Sequence, residues 1–357
     1  MSVVRATQED LGAVFADGTV PAHYGRPDSA HRAVRNGVGV TEAAYGVVTV
    51  AGEDRVEFVD DSLSNAVPRA DGEGAYACLL DPRGRVEFDC YVYATGDRLL
   101  LFTPPDRAAD LAADWAEKTF VQDVTVRDAT AEFGVFGVHG PNATEKVASV
   151  LNGAAAPDDR LSFVRGRMDD RGVTVVRTDD PPGEEGYEVV CTADDAPDVF
   201  DTLLNRGLNA APFGTHTWAT LTLEAGTPLS ADLRGTLPTS LGLRNAVDFS
   251  KGCFVGQEVL ATVENRGHPP QRTVGLRPDG VPAAGAAVYD GDEAVGTVLR
   301  AARCPTLDAP AALALVSFDS DATVLAVAAD DGDRVPAERA DLPFVAGSGE
   351  SARLPSY

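Results

Sequence analysis

The sequence predicts an α+β protein that is built from more than one compact unit and ends in a small all-β region. Three observations lead to this prediction. The chain of 357 residues is longer than one ordinary hydrophobic core supports. Alternating apolar residues flank the turn sequence DPRG at residues 81–84, which indicates a β-hairpin. Beyond residue 270, short apolar runs are separated by Gly, Pro and Asp, as is typical of a β-barrel or β-sandwich.

Helices and strands are predicted to alternate in the first part of the chain. A helix over about 29–36 is followed by the strand GVVTVAG and by a short helix that begins near Glu53. The hairpin strands GAYACLL and RVEFDCYVY come next. A third strand, DRLLLFT, leads into a helix that we expect to begin at the proline pair of PPDRAADLAADW. These elements predict a hairpin lobe over about 53–130.

The middle of the chain carries further strands and helices, and the end carries short strands. FGVFGVHG, GVTVVRT and GYEVVCT are predicted strands, and helices are expected over PNATEKVASVL, about 196–206 and THTWATLTLEAG. AAVYD, EAVGTVLRA, AALALVSF and TVLAVAA are the predicted strands of the last region. We therefore divide the chain into residues 1–268 and 269–357. The terminal segment GSGESARLPSY is polar and rich in small residues, and we expect it to be frayed.

The charge of the chain is strongly acidic and excludes one class of function. The formal net charge is −25, and lysine occurs only at positions 118, 146 and 251. Such a surface argues against sequence-independent DNA binding, which needs basic side chains. It is typical of adaptation to concentrated salt, where a Debye length of about 3 Å at 1 M screens self-repulsion. No apolar run is long enough for a membrane helix, and no export signal is visible, so a cytoplasmic protein is expected.

Several common catalytic and metal-binding motifs are missing from the sequence. No glycine-rich stretch has the spacing of a Rossmann turn or a P-loop, and no GxSxG elbow is present. The histidines lie far apart, and we expect each to be an ordinary hydrogen-bonded residue; they are His23, His31, His139, His216 and His268. The cysteines form no CxxC pair; they are Cys78, Cys90, Cys191, Cys253 and Cys304. We predict no metal site.

One segment, FSKGCFVGQEVLATVENRG at residues 249–267, combines a rare lysine with a cysteine. Its apolar spacing predicts a short helix that begins near Gly256 and ends at Gly267. Cys253 would then lie just before a helix N-terminus, where backbone N–H groups and Lys251 favour a thiolate. A buried cysteine in a glycine-rich packing turn, with a solvated lysine beside it, explains the same residues. The composition alone leaves both interpretations open.

The segment KGCFVGQE, followed by ENRG, resembles the signature of the folate-binding YgfZ family, the relatives of a mitochondrial iron–sulfur assembly factor. That family belongs to the superfamily of the glycine-cleavage T-protein, an aminomethyltransferase. The rest of the chain is similar in the same order: residues 24–59 to the superfamily's N-terminal segment, DPRGRVEFDCYVY to its central hairpin, and EEGYEVV and LEAGTPL to its later motifs. The resemblance implies a three-lobed α+β fold, with two α/β lobes, a small C-terminal antiparallel β-barrel and tetrahydrofolate in a central channel.

The resemblance also implies roles for particular residues. Glu188 lies where the superfamily places a glutamate that hydrogen-bonds the pterin ring, and a carboxylate suits the N–H donors of that edge. Asp89 matches the second residue of the paired aspartates of T-proteins. The expected catalytic residues are Cys253, Lys251 and Asp89, and the expected folate-binding residues are Glu188, Tyr187, Gly252, Gly256, Gln257 and Glu258. The chain departs from T-proteins at Phe88, Thr222 and Ser230, where those proteins have aspartate, arginine and tyrosine.

These departures favour a tetrahydrofolate-binding accessory protein in iron–sulfur cluster assembly or repair, acting through the Lys-Gly-Cys loop. The first alternative is an aminomethyltransferase that transfers a one-carbon unit to tetrahydrofolate, and the second is a non-catalytic scaffold. Whether the chain is an enzyme stays open at this point. The expected partners are a folate and iron–sulfur client or assembly proteins, without nucleic acid or membrane.

Overall fold

The computed structural model describes residues 2–16, 18–329 and 333–357, which form three sheets and the helices around them. The helices are α1 Arg5–Asp10, α2 Pro27–Asn36, α3 Arg55–Ser62, α4 Ala108–Lys118, α5 Ala143–Val150, α6 Ala196–Asn205, α7 Thr215–Glu224, α8 Ser230–Leu233 and α9 Gln257–Arg266, with 3₁₀ turns at Thr130–Glu132 and Arg244–Ala246. The strands are β1 Gly39–Glu42, β2 Gly46–Ala51, β3 Gly74–Leu80, β4 Val86–Ala94, β5 Arg98–Thr103, β6 Thr125–Asp128, β7 Phe133–His139, β8 Phe163–Met168, β9 Arg171–Arg177, β10 Gly186–Thr192, β11 Ala211–Pro212, β12 Gln271–Pro278, β13 Ala287–Asp290, β14 Glu293–Cys304, β15 Ala309–Ser317, β16 Val324–Ala328 and β17 Arg334–Ala340.

The first lobe is built on a six-stranded sheet in the order β11-β1-β7-β10-β9-β8. Its neighbours are antiparallel except for β1 and β11. Helices α5 and α6 cover one face of this sheet, where buried Phe136, Val147 and Phe200 belong to one apolar cluster. The opposite face is turned towards the second lobe.

The second lobe is a five-stranded sheet in the order β3-β4-β5-β2-β6, and its neighbours are all antiparallel. Helices α3 and α4 pack on one face, with Phe58 and Trp115 in edge contact at 5.2 Å between ring centroids. The other face meets the first lobe, because Tyr91 and Tyr93 share an apolar cluster with Val190. The predicted hairpin is confirmed as β3 and β4 around residues 81–85.

The third lobe is a closed barrel of six strands in the order β12-β15-β14-β13-β16-β17, and β12 and β17 complete the circle. Its interior holds small and branched side chains such as Val288, Ala314 and Val327. The sequence left open whether this region is a barrel or a sandwich, and the pairing of β12 with β17 makes it a barrel. The predicted three-lobed fold with an antiparallel C-terminal barrel is therefore confirmed.

Two sequence predictions of local structure are wrong. Helix α4 begins at Ala108 and not at the proline pair. A proline restricts the residue before it to extended backbone, so Pro105 keeps Pro104 out of the helical conformation. The C-terminal segment is not frayed: the Ala352 N–H donates to the Asp179 carbonyl at 2.9 Å, and the Ser356 N–H donates to the Gly242 carbonyl at 3.0 Å. The partners of this segment are far away in sequence, so its composition gave no sign of them.

Among the described residues, we find no helix that is both long and apolar enough to cross a membrane.

Candidate functional site

Two strands from different lobes turn carboxylates towards the space between the lobes. Side chains alternate along a strand, so neighbouring residues face opposite sides of the sheet. On β10, Tyr187 packs in the core of the first lobe, and Glu188 faces the second lobe together with Val190. On β4, Phe88 packs under α3 and α4, and Asp89 faces the first lobe. The fold therefore places Glu188 and Asp89 at the same interface.

Glu188 lines a cavity of about 250 Å³. The Tyr45 hydroxyl donates a hydrogen bond to Glu188 Oε1 at 2.7 Å. Burial is the main reason why the pKa of Glu188 is raised to about 7. The cavity is lined by Val20, Thr41, Glu42, Ala43, Ala44, Tyr45, Gly137, His139, Glu188, Thr215 and Trp218. We call it the Glu188 cavity.

Asp89 lies in a second cavity of about 260 Å³. The Tyr76 hydroxyl donates to Asp89 Oδ2 at 2.8 Å, and the Ser230 hydroxyl donates to Asp89 Oδ1. Ala44, Tyr45 and Trp218 line this cavity as well as the Glu188 cavity, so the two spaces adjoin. We call the second space the Asp89 cavity. A ligand that fills both would contact a carboxylate from each lobe.

Arg353, from the C-terminal segment, brings a buried positive charge to the Asp89 cavity. Its Nη1 lies 3.6 Å from Asp89 Oδ2, and its Nε lies 3.1 Å from Asp179 Oδ2. Its Nη2 donates to the Tyr91 hydroxyl at 2.8 Å, and that hydroxyl donates to Asp179 Oδ1. Burial acts to lower the pKa of Arg353, but the facing carboxylates and tyrosines outweigh it and hold that pKa well above the ordinary value. The guanidinium is therefore charged and balances part of the buried negative charge.

A further cavity of about 300 Å³ lies along the same two strands, beyond the carboxylates. Tyr93 and Val190 line it, together with other aromatic and aliphatic side chains. None of its described lining residues is acidic, and its one arginine, Arg165, is paired with both carboxylate oxygens of Asp71 at 2.7 Å. Glu188 and Asp89 thus line the other two cavities and not this one.

The Lys-Gly-Cys loop lies elsewhere, against helix α3. Lys251 Nζ donates to the backbone carbonyls of Asp60, Leu63 and Asn65, the latter two at 3.0 Å. An ammonium has three N–H donors, so these carbonyls use all of them. Burial lowers the pKa of Lys251, although Asp60 opposes that shift. The catalytic role predicted for Lys251 stays a prediction, and this geometry favours an anchoring role at the end of a helix.

Cys253 is the exposed thiol of the chain, since the other four cysteines, all within the described residues, are buried. It does not line the Glu188 or the Asp89 cavity. The helix predicted after it is confirmed as α9, and Gly256 precedes it with φ of 81°. A Cβ on Gly256 would lie 2.7 Å from Gly84 Cα, so this glycine permits close contact with the hairpin turn. The loop packs on the second lobe and leaves its thiol in solvent.

The other residues predicted to bind folate lie outside the two cavities. Tyr187 is in the core of the first lobe, where its hydroxyl is 2.9 Å from Thr144 Oγ1, because strand alternation turns it away from Glu188. Gly252, Gly256, Gln257 and Glu258 belong to the loop and the first turn of α9 and line neither cavity. Their predicted contacts with folate stay predictions, and of the six residues only Glu188 faces the interface.

The three departures from T-proteins have different structural consequences. Phe88 faces the helices of the second lobe, so an aspartate there would not reach the Asp89 cavity. Ser230 lines that cavity and bonds to Asp89. Thr222 accepts a hydrogen bond at 3.2 Å from Arg300 of the barrel, whose Nε donates to Asp232 at 2.8 Å. An arginine is thus present beside Thr222, but it is engaged by protein groups.

Sequence reasoning missed several residues that line or support the cavities. Tyr45 follows β1 in the unremarkable sequence EAAYG, and Arg353 lies in the segment expected to fray. His139 was expected to be an ordinary hydrogen-bonded histidine, yet its Nδ1 is buried and has no partner among the described residues. One feature of the sequence could have indicated the unusual environment of His139: in FGVFGVHG, a polar residue ends a buried strand that is rich in glycine. The described residues contain no cluster of three or more side chains that could hold a metal ion.

Comparison with known proteins connects this geometry to a family. The GCVT N-terminal domain family matches residues 7–251, and the glycine cleavage T-protein C-terminal barrel domain matches residues 271–346. An aminomethyltransferase of Cutibacterium acnes is 33% identical over 338 residues, which cover 88% of this chain and 90% of that protein. One of Corynebacterium aurimucosum is 30% identical over 96% of this chain and 97% of that protein.

A solved structure supports the same assignment at the level of the fold. The crystal structure of the glycine cleavage system aminomethyltransferase T from Bartonella henselae superposes with a TM-score of 0.84, covers 98% of each chain and is 22% identical. The family match extends over both lobes and the barrel. The chain therefore belongs to the glycine cleavage T-protein family.

Proposed function

We propose that the chain binds a reduced folate in the adjoining Glu188 and Asp89 cavities and transfers a one-carbon unit to it, as an aminomethyltransferase does. One observation carries the proposal: Glu188 and Asp89, buried carboxylates from different lobes, line two adjoining cavities at the lobe interface. The relatives named aminomethyltransferase support the same reaction class. The departure at Phe88 does not weaken it, because that side chain faces away from the space.

Glu188 is suited to hold the pterin end of a folate. An ionised carboxylate accepts two hydrogen bonds from neighbouring N–H groups, and the 2-amino-4-oxo edge of a pterin presents such a pair. Tyr45 fixes the carboxylate by donating to Oε1. Burial and the nearby Glu188 charge raise the pKa of Tyr45 well above its ordinary value, so the hydroxyl keeps its proton and stays a donor.

Asp89 is suited to stabilise positive charge where the one-carbon unit is transferred. In the proposed reaction, an aminomethyl group leaves a lipoyl sulfur, its carbon joins two folate nitrogens, and ammonia and the dihydrolipoyl thiol are released. Tyr76 and Ser230 each donate to one oxygen of Asp89, which fixes the plane of the carboxylate. A preorganised carboxylate in a space shielded from water stabilises an amine or iminium cation much better than it would in water.

The experiment that tests this proposal is a transfer assay with an aminomethylated lipoyl carrier protein and tetrahydrofolate. The assay is run in molar KCl because of the net charge of −25. We expect the native chain to form methylenetetrahydrofolate and Asp89→Asn to lose at least about 100-fold in rate. Asp97→Asn, which removes an exposed carboxylate, is the matched control and should keep the native rate. Absence of product from the native chain would contradict the transferase proposal.

A second candidate function is supported by the exposed thiol. We propose, as the alternative, an accessory role in iron–sulfur protein assembly or repair, in which Cys253 contacts a client and the folate is bound as above. The supporting observation is that Cys253 is exposed while the other cysteines are buried. The described residues do not form a cluster site of their own, so a client or a small thiol would have to complete any iron ligation.

This alternative is tested in cells that lack the protein. The activity of a [4Fe–4S] enzyme is measured after rescue with the native chain, with Cys253→Ser or with Cys191→Ser, a buried-thiol control. The alternative predicts that only Cys253→Ser fails to restore activity. Unchanged cluster enzymes in the deletion strain would contradict it and leave the transferase proposal in place.

A further inference from the structure

His139 is a buried polar side chain that the proposed reaction does not yet use. It ends strand β7, lines the Glu188 cavity and has 2% of its surface exposed. Its Nδ1 is buried without a hydrogen-bond partner among the described residues. A buried polar atom without a partner costs free energy, so its retention beside a cavity calls for an explanation.

Two glycines make room for the imidazole ring on the sheet. A Cβ on Gly137 would lie 2.6 Å from His139 Nε2, and a Cβ on Gly186 would overlap Nδ1. In the ladder between β7 and β10, Gly186 is opposite His139 and Gly137 is opposite Glu188. The ring therefore lies over Gly137, the residue opposite Glu188. Its Nε2 is near Gly137, and its Nδ1 is near Gly186. His139 and Glu188 both line the Glu188 cavity, so the imidazole and the carboxylate are available to one ligand there.

The proton of the ring is assigned to Nε2. Burial, with Arg177 nearby, lowers the pKa of His139 to about 3, so the imidazole is neutral at pH 7 and carries one N–H. Buried N–H groups without a partner are rarer in proteins than unpaired acceptors. The proton on Nε2 leaves Nδ1 as an unpaired acceptor and gives the cavity a donor. Glu188 and His139 thus offer an acceptor and a donor to the same cavity.

We propose that His139 donates a hydrogen bond to the 4-oxo group of the bound pterin, and that Glu188 and His139 together select 2-amino-4-oxo pterins over 2,4-diamino pterins. The inference rests on the proposed folate function and assigns the specificity of that site. The carboxylate accepts from the N–H groups at the 2- and 3-positions, and the adjacent oxygen meets the imidazole N–H. A 4-amino group would instead place N–H against N–H, which leaves two buried donors unpaired.

The test uses folic acid and aminopterin, which carry an oxygen or an amino group at position 4 and accordingly differ in whether N3 carries a hydrogen. Their affinities are measured by isothermal titration calorimetry in molar KCl at pH 8, where Glu188 is ionised. We expect the native chain to prefer folic acid. His139→Leu should shift the ratio of the two affinities towards aminopterin by about tenfold or more, the effect of one buried hydrogen bond and one mismatch. His139→Gln, whose amide can present either an N–H donor or a carbonyl acceptor, should give a ratio between those of the native chain and His139→Leu.

A control and the contradicting outcomes separate this inference from the proposed function. His216→Leu changes an exposed histidine and should leave the ratio unchanged. A native chain that binds aminopterin more tightly than folic acid would overturn the inference, even if both His139 variants failed to fold. A folded His139→Leu with the native ratio would overturn it as well. If neither probe binds the native chain, this inference is overturned, and if tetrahydrofolate does not bind either, the folate function is overturned with it.

Discussion

The lobe interface and the Lys-Gly-Cys loop differ in where their polar groups find partners. At the interface, Glu188 and Asp89 are buried carboxylates that line cavities; Glu188 accepts a protein hydrogen bond on one oxygen, and Asp89 accepts one on each oxygen. In the loop, Lys251 uses its donors on three backbone carbonyls, and Cys253 lies in solvent. The Lys-Gly-Cys loop is thus the more distinctive motif in the sequence, but it is less enclosed in the structure than the lobe interface. A distinctive motif can be required for packing, whereas a binding site needs polar groups that packing leaves available.

The comparison allows substitutions to be ranked by their expected effect on stability. A buried charge beside a cavity has few partners, so the loss of one partner matters. Removal of such a partner leaves a charge in a medium of low dielectric constant, which is costly. Removal of a group that bonds to backbone at the edge of the loop exposes polar atoms that water can partly reach. The following four changes are ordered by the size of the expected effect on stability.

The largest effect is expected for Arg353→Met. This change leaves Asp89 and Asp179 buried without their cation, so we expect a loss of about 3 to 5 kcal/mol in the free energy of unfolding. The measurement is urea unfolding at pH 7 in molar KCl. Arg69→Met, which breaks an exposed ion pair with Glu57, is the control and should cost less than about 1 kcal/mol. Equal losses in the two variants would mean that the C-terminal segment does not support the interface.

Glu188→Gln should change how stability depends on pH. The folded-state pKa of about 7 lies above the ordinary value of 4.5, so the folded chain holds this proton longer than the unfolded chain. The contribution of Glu188 to stability is therefore full below pH 4.5 and is lost as the pH rises through about 7. Relative to the native chain, Glu188→Gln should gain up to about 3 kcal/mol between pH 5 and pH 8.5. The measurement is urea unfolding of both proteins across this pH range. If the carboxyl group were not buried, the free energies of unfolding of the native chain and of Glu188→Gln would change with pH in parallel.

Lys251→Met is expected to have an intermediate effect. The carbonyls at the end of helix α3 lose a shared donor, and leaving buried acceptors unpaired costs about 1 to 3 kcal/mol. Urea unfolding gives the loss, and hydrogen exchange should show faster opening at the end of α3. The transfer rate of the folded variant should stay native. A large loss of rate without a loss of stability would restore a catalytic role for Lys251.

The smallest effect is expected for Cys253→Ser. A substitution of an exposed side chain such as that of Cys253 changes stability by no more than about ±0.5 kcal/mol. A thiol reagent should modify one cysteine of the folded native chain and none in Cys253→Ser, and the remaining thiols should react only on unfolding. Rapid reaction of a second thiol in the folded protein would show that the buried cysteines are more accessible than their packing indicates.

The sequence was informative wherever local pattern and covalent geometry decide the outcome. Alternation and the DPRG turn gave β3 and β4, and Gly256 and Gly267 marked the limits of α9. The same alternation could have separated Glu188 from Tyr187, since adjacent strand residues cannot face the same side. Strand β8, with the sequence FVRGRM, escaped prediction because its apolar residues are few and do not alternate cleanly, although its partner β9 follows at once in the chain.

The candidate site was predictable only in part. Glu188 and Asp89 came from the resemblance to a family, and the structure places both at one interface. Tyr45 and Arg353 could not be predicted, because their positions in the site depend on contacts between lobes, and His139 could not, because its position depends on a strand that is distant in sequence. His139 requires glycines on two strands that lie 49 residues apart, Gly137 and Gly186, to leave space for its ring.

The sequence by itself determined the local elements, the acidic surface and the resemblance that implied three lobes with a C-terminal barrel. Those features follow from short-range periodicity, composition and motif, which are all readable along the chain. Only the tertiary structure decided which polar groups remain available for a ligand. That outcome depends on burial and on hydrogen-bond partners from distant segments, such as the C-terminal Arg353 beside Asp89. The free energy of a buried charge is set by these partners, and no local pattern specifies them.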